Sequence, residues 1–286
     1  MIIDAHVHPI YFDMICQDEK KLQFRTEQFG VYKQSPYDYE EIAVEMDYGK
    51  IDRSILLPLD LTTQSGGYIV SNEEIKTIID RYPNRFIGFA SVDPYREDAL
   101  EVVEHAFKDL KLSGLKLHPA KQKFYPDDEK LWPIYQKCLE YDKPILFHAG
   151  LSWEPNSLTK YAHPLHFERV AIEFPGLRIC LAHFAWPWVK EMMMLLIKYP
   201  NVYTDTSMLY LDSFEDFMNR IFMKEMDPLT LERNFSNQVL FGSNTPRFRA
   251  FKFKAAIEAL PFSETVKAKI FGENALAFLG KDVSLD

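Results

Sequence analysis

The chain is predicted to be an α/β protein, a single (β/α)8 TIM barrel spanning residues 1–286. Three observations predict it. Eight short apolar runs alternate with helical patterns along the 286 residues, the number and length expected of such a barrel. The runs end in polar side chains, at the end of the strand where barrel enzymes keep their chemistry. A doubly wound open sheet is the alternative, but it usually carries fewer strands and a Gly-rich phosphate turn, which is absent here.

The strand signals, in order, are "MIIDAHVH", "DRSILLPL", "RFIGFASV", "SGLKLHP", "KPILFHAG", "LRICLAHF", "NVYTDTS" and "QVLFGSN". Between them, helical periodicity covers 72–82, 98–110, 130–141, 165–174 and 188–199. Ser71 with Glu74 three residues on reads as a capping box for the first of these. The stretch from 9 to 39, rich in tyrosine and phenylalanine, is expected to form a lid-like insertion after the first strand. An extra helical segment is expected at about 212–235, and two amphipathic helices, 251–260 and 263–278, close the chain.

Alternate residues of a strand share a face. This groups Asp4, His6 and His8 in the first strand, Lys116 and His118 in the fourth, Leu146 and His148 in the fifth, and Leu181 and His183 in the sixth. Asp205 and Ser207 pair in the seventh and Gly242 and Asn244 in the eighth. Five of the eight histidines fall in this set. A single strand-end histidine is more often a hydrogen-bonded core residue than a ligand. His-x-His on one strand face is more specific, since two imidazoles there can share one cation. His105 reads as a surface residue, and His163 and His166 as packing or capping residues.

"DAHVHP", "GLKLHP", "PILFHAG", "LAHF", "FGSNTP" and "GENALAFLG" resemble the amidohydrolase superfamily, in its amidohydrolase-related branch of hydrolases and decarboxylases that are similar to aminocarboxymuconate semialdehyde decarboxylase. The resemblance implies one divalent metal ion, zinc ahead of manganese, with His6, His8 and His148 as ligands. It places His183 beside the reacting water or substrate, and puts Asn244 where the family carries an aspartate that is both ligand and proton shuttle. An amide cannot take that proton. Asn244 is therefore an introduced change, a natural variant in which His183 moves protons, or the mark of a non-catalytic metal- or ligand-binding barrel. Asn244 and His183 are the catalytic candidates, and Asn244 a weak fourth ligand. Lys116, His118, Arg247 and Trp153 are candidate substrate contacts, with Trp186 and Trp188 as further walls of the mouth. Arg247 either clamps a carboxylate or pairs with a surface acid. A two-metal site bridged by carbamylated Lys116 is the lesser reading. The expected activity is hydrolysis of a small carboxylate-bearing molecule by a metal-activated water, with non-oxidative decarboxylation as the alternative.

The net charge of -9 disfavours nucleic acid and acidic membranes as partners. No apolar run approaches the length of a membrane span. Cys16, Cys138 and Cys180 show no paired spacing and suit reduced thiols, which points to the cytoplasm. The expected partner is a small anionic substrate, and a homodimer is the base-rate expectation.

Overall fold

In the computed structural model, residues 1–154, 156–207 and 213–280 are described. Eight parallel strands form the wall: β1 Ile3–Val7, β2 Arg53–Leu56, β3 Phe86–Gly88 with Ala90–Ser91, β4 Leu115–Leu117, β5 Ile145–Phe147, β6 Ile179–Leu181, β7 Val202–Asp205 and β8 Val239–Leu240. They pair in chain order. Phe89 interrupts β3 and divides its loyalties. The Phe89 N–H bonds back to Leu56 O at 3.0 Å, and the Ala90 N–H bonds forward to Gly114 O at 2.7 Å. The ends meet as well: Ala5 N–H donates to Phe241 O at 2.8 Å, Asn244 N–H to His6 O at 2.9 Å, and a lone parallel bridge pairs Val7 with Thr245. These bonds join β8 to β1. All eight expected strands are present, and the α/β barrel class stands.

Strands buried on both faces need apolar residues on both, and these supply them. The lower barrel is filled by Ile3, Ala5, Ile55, Phe89, Leu146 and Cys180, and stoppered by Phe278 and Leu279 of the closing helix. Outward residues such as Leu115, Leu117, Phe147 and Leu181 join the larger core under the helices. Two strands depart from simple alternation. The β1 register shifts between Asp4 and Val7, so Ile3 and Ala5 face the interior with His6 and His8 above them, while Asp4 and Val7 line a separate outer cleft. In β6, Cys180 and Ala182 face inward rather than Leu181. His183 is returned to the mouth by left-handed backbone at His183, Phe184 and Ala185 (φ 64°, 49° and 47°). Such a run is costly for residues with a Cβ and is tolerated at sites the surroundings over-determine.

The capping box forms: Glu74 N–H donates to Ser71 Oγ and Ser71 N–H to Glu74 Oε2, opening helix Asn72–Arg81. In the 9–39 stretch, Asp18 caps a helix over Glu19–Phe29, and Gly30, at φ 71°, ends it. Tyr11 and Phe12 are core residues, whereas Tyr32 is exposed. The helical stretch expected at 212–235 is two pieces, Phe214–Glu225 and Pro228–Phe235. Asp227 caps the second, and proline is well suited to its first position. Residues 212 and 281–286 lie outside the described residues. No helix among the described residues is long and apolar enough to cross a membrane.

Candidate metal centre and substrate pocket

At the C-terminal ends of the strands lies a pocket open to solvent. All nine expected site residues line it: His6, His8, Lys116, His118, His148, Trp153, His183, Asn244 and Arg247. Phe29, Lys121 and Glu154 complete its mouth. Trp186 and Trp188 do not line it; they pack on Phe217 and His163. His105 is exposed beside Asp109, and His163 Nδ1 caps the Leu165 N–H, as expected of non-site histidines.

The hydrogen-bond partners fix the histidine tautomers. Leu57 O can only accept, so His8 Nδ1–H donates to it at 3.0 Å, leaving His8 Nε2 with a lone pair. His6 Nδ1–H donates to Asp205 Oδ2 at 2.8 Å, which leaves His6 Nε2 with a lone pair too. The two Nε2 atoms face each other at 3.2 Å. Two acceptors aimed at one point need a cation between them. Donors about 2.0–2.1 Å from a tetrahedral ion stand about 3.3 Å apart, so this spacing suits a shared metal.

The same logic runs through His183 and His148. His183 Nδ1–H donates to Ser207 O at 2.8 Å, so its Nε2 accepts from His148 Nδ1–H at 3.2 Å. His148 Nε2 is left with a lone pair, buried and without a partner among the described residues. His118 stacks flat on His148, with ring centroids 3.9 Å apart and planes 8° from parallel. Its Nδ1 accepts from Lys121 N–H.

Asn244 adopts φ 62°, a left-handed conformation that asparagine tolerates better than most residues. Its Nδ2 points to Ser207 O at 3.5 Å, where only a donor fits. That orientation leaves Oδ1 buried and without a partner among the described residues. His148 Nε2 and Asn244 Oδ1 are thus two orphaned lone-pair atoms in a pocket that also holds the facing Nε2 pair. The donor chemistry fits one divalent ion.

Donor atoms of His6, His183 and Asp205 also cluster within 4.8 Å of one another. Their bonds identify them as a support. Ser207 Oγ donates to Asp205 Oδ1 at 2.5 Å and lies 3.0 and 2.9 Å from the Nδ1–H groups of His6 and His183. Asp205 Oδ1 also accepts the His183 and Ser207 N–H groups. Burial alone would raise the Asp205 carboxyl, but its contacts with His6 and His183 outweigh that and hold it well below the carboxylate range. A carboxylate behind a ligating imidazole sets the ring's tautomer and raises its basicity.

Burial pushes His8, His118 and His148 well below the usual imidazole range. His183 is pushed down to about 3, chiefly by burial and by neighbouring His6. Lys116 is buried on β4, which lowers it to about 8 against the opposing pull of Asp205.

At the mouth, Arg247 donates to Phe29 O at 2.6 Å and to Glu154 Oε1 at 3.3 Å. The guanidinium carbon sits 4.6 Å from the Phe29 ring centroid. Glu154, one acid that pairs with Arg247, is thus a pocket residue. Asp205, Ser207, Lys121, Glu154 and Phe29 are additions to the expected site. Asp205 and Ser207 left a sequence signal, alternating at the end of the seventh strand, and Phe29 belongs to the aromatic 9–39 stretch expected to cover the mouth.

The sequence matches the family described as Amidohydrolase over residues 3–281. An uncharacterized TIM-barrel protein from Bordetella bronchiseptica superposes with TM-score 0.74 at 24% identity, over 98% of this chain and 99% of that one. The 5-carboxyvanillate decarboxylase of Sphingomonas paucimobilis superposes at 0.67 with 16% identity, over 97% and 98%. The 4-oxalomesaconate hydratase of Rhodopseudomonas palustris gives 0.65 and 19%, over 98% and 95%. These are likenesses of fold. Protein fluG of Emericella nidulans is 32% identical over 69 residues, a match spanning 24% of this chain and 8% of fluG. The family match over nearly the whole length, with the barrel and its histidine-lined mouth, establishes that the chain belongs to the amidohydrolase family.

Proposed function

We propose that the protein is a metal-dependent carboxy-lyase that removes carbon dioxide, without oxidation, from a small planar carboxylate. His6, His8 and His148 would hold the ion through Nε2, with Asn244 Oδ1 as a neutral fourth ligand. The imidazole-rich set favours zinc, and manganese is the second choice. A divalent ion there would anchor an anionic substrate and stabilise negative charge developing on it.

The observation that carries the reaction type is the proton inventory. Asn244 cannot accept a proton, and His183, pushed down to about 3, is a weak base. Lys116, by contrast, is an amine buried inside the pocket and can donate one as its ammonium. Such a site gives protons more readily than it takes them. In decarboxylation the bond from carbon to the carboxylate breaks, its electron pair stays on that carbon, and the carbon gains a proton. Lys116 supplies that proton and solvent restores it. Hydrolysis, the reaction favoured by sequence alone, needs water deprotonated and finds no strong base among these residues. His118 stacks on His148 and orients it, Trp153 and Arg247 border the substrate, and the 9–39 segment acts as the lid through Phe29. The cysteine usage supports a cytoplasmic location.

The test is incubation of the metal-loaded protein with a panel of ring carboxylic acids, lactones and amides in water enriched in oxygen-18 and in deuterium. Carbon dioxide release with deuterium on the product carbon supports the proposal. Oxygen-18 in the product with no carbon dioxide would replace it with hydrolysis. Metal retention without turnover, persisting in Asn244→Asp, would favour a binding barrel.

A further inference from the structure

On the outer side of the barrel wall, behind the metal centre, lies a second cleft of about 310 Å³, a size that small-molecule sites use. It runs from β1, β2 and β3 outward between helix Tyr39–Gly49, the 33–37 segment and the chain after β8. Among the described residues it shares no lining side chain with the metal pocket. Elsewhere in this barrel the outward strand residues are apolar and pack under the helices, as Leu115, Phe147 and Leu181 do. Here they are Asp4 and Ser54, register partners on β1 and β2. Both are buried, at 1% and 4% exposure, and both line the cleft.

Asp4 has a structural duty that explains part of its bonding. Its Oδ1 accepts the His6 and Ser243 N–H groups at 3.1 and 3.0 Å, and its Oδ2 accepts Ser243 Oγ–H at 2.5 Å, which ties β1 to β8. All three donors are neutral. An ionised carboxylate offers about four lone-pair positions, so Oδ2 keeps one in hand. Ser54 has no such duty. Its Oγ bonds to nothing among the described residues, although a buried polar side chain ordinarily has a partner. A carboxylate lone pair beside an unpartnered hydroxyl oxygen calls for one donor group that serves both. A primary ammonium, with three N–H donors and a positive charge, does so.

The walls are apolar and aromatic. The Phe12 ring centroid lies 5.5 Å from that of Phe86 and 5.8 Å from that of Tyr37, and Phe248 enters from the chain after β8. The rim is polar: Arg249 pairs with Glu45, and Gln34 Nε2–H donates to Pro246 O at 2.6 Å. The Arg249 and Glu45 side chains are 60% and 43% exposed, so their ion pair opens at little cost.

We propose that this cleft is a second ligand site, for a primary amine carried on a flat apolar body. The ammonium meets Asp4 Oδ2 and Ser54 Oγ, and the ring lies among Phe12, Phe86 and Phe248. The ligand rests against the back of the metal centre, since Asp4 holds the His6 N–H, and Thr245 and Pro246, which also line the cleft, follow Asn244.

Binding of phenethylamine, phenethyl alcohol and hydrocinnamate to the full chain is measured by calorimetry, for the wild type, Ser54→Ala and Ile42→Trp. The wild type should bind the amine most tightly, the alcohol less so and the carboxylate least. Ser54→Ala should weaken the amine about tenfold, the loss of one hydrogen bond to a charged group. Ile42→Trp, which fills the cleft from helix Tyr39–Gly49, should abolish amine binding. The proposal is overturned if the wild type does not bind the amine, if the alcohol or the carboxylate binds as tightly, or if either variant binds the amine as the wild type does. Thermal melting without ligand shows whether each variant is folded, and Ala250→Leu fills the same cleft should Ile42→Trp unfold.

Discussion

Asp205→Asn is the substitution that most sharply probes the hydrogen-bond logic of the metal centre. The carboxylate accepts His6 Nδ1–H on Oδ2 at 2.8 Å. On Oδ1 it accepts Ser207 Oγ–H at 2.5 Å and the His183 and Ser207 backbone N–H groups at 2.8 and 3.0 Å. Three of the four donors fall on Oδ1, so an amide oxygen takes that position and an NH2 group faces His6. To accept from it, His6 must carry its proton on Nε2, which removes one of the two lone pairs that face each other at 3.2 Å. Loss of such a supporting partner costs about 10- to 100-fold in metal affinity. Losing a hydrogen bond to a buried charge costs about 1.5–3 kcal/mol of stability. Chelator competition measures the first and thermal unfolding of the metal-free protein the second. Nitrogen-15 NMR of labelled histidine reads the tautomer directly. Wild-type metal affinity in a folded variant whose His6 Nε2 remains unprotonated would refute the reasoning.

Other outcomes follow from the same geometry. Asn244→Asp adds a charge to an otherwise neutral ligand set and should tighten metal binding at least about tenfold. It should also destabilise the metal-free form, because a buried carboxylate then lacks a partner; equilibrium dialysis and melting curves check the two effects. Lys116 carries a charge below about 8 and loses it above, so anion binding, measured as a dissociation constant against pH, should weaken as pH rises through that value. Its folded pKa lies below its unfolded value of about 10.5. The unfolded chain therefore binds more protons between the two, and Lys116 should make stability rise with pH in that window. Lys116→Met should flatten both profiles. Gly150→Ala should lower the melting temperature, because a Cβ there would stand 2.3 Å from Trp186 O at φ 81°; backbone strain of this kind costs about 1–3 kcal/mol.

The barrel was legible because each strand carries its own signal: an apolar run, a punctuating Gly or Pro, and a polar end. The metal-side histidines were legible because His6-x-His8 and the strand-end His148 and His183 mark themselves. Strict alternation misplaced Asp4 and the inward face of β6, since a register shift in β1 and three left-handed residues after β6 are backbone events that side-chain pattern does not encode. Trp186 and Trp188 looked like mouth walls by position but pack against Phe217 and His163. Lys121 and Glu154 were illegible for a plainer reason. They meet across 33 residues of chain and come from different loops, and nothing local distinguishes them from any surface lysine and glutamate. Asn244 could be read as an oddity in sequence, whereas its unpaired Oδ1 needed the neighbouring Ser207 carbonyl to be in view.

The most direct test of the metal centre is an anomalous difference map from crystals grown with manganese. The account predicts one peak per chain, shared by His6 Nε2 and His8 Nε2 and reached by His148 Nε2 and Asn244 Oδ1. A peak among His6 Nδ1, His183 and Asp205 instead, or none in the pocket, would contradict it.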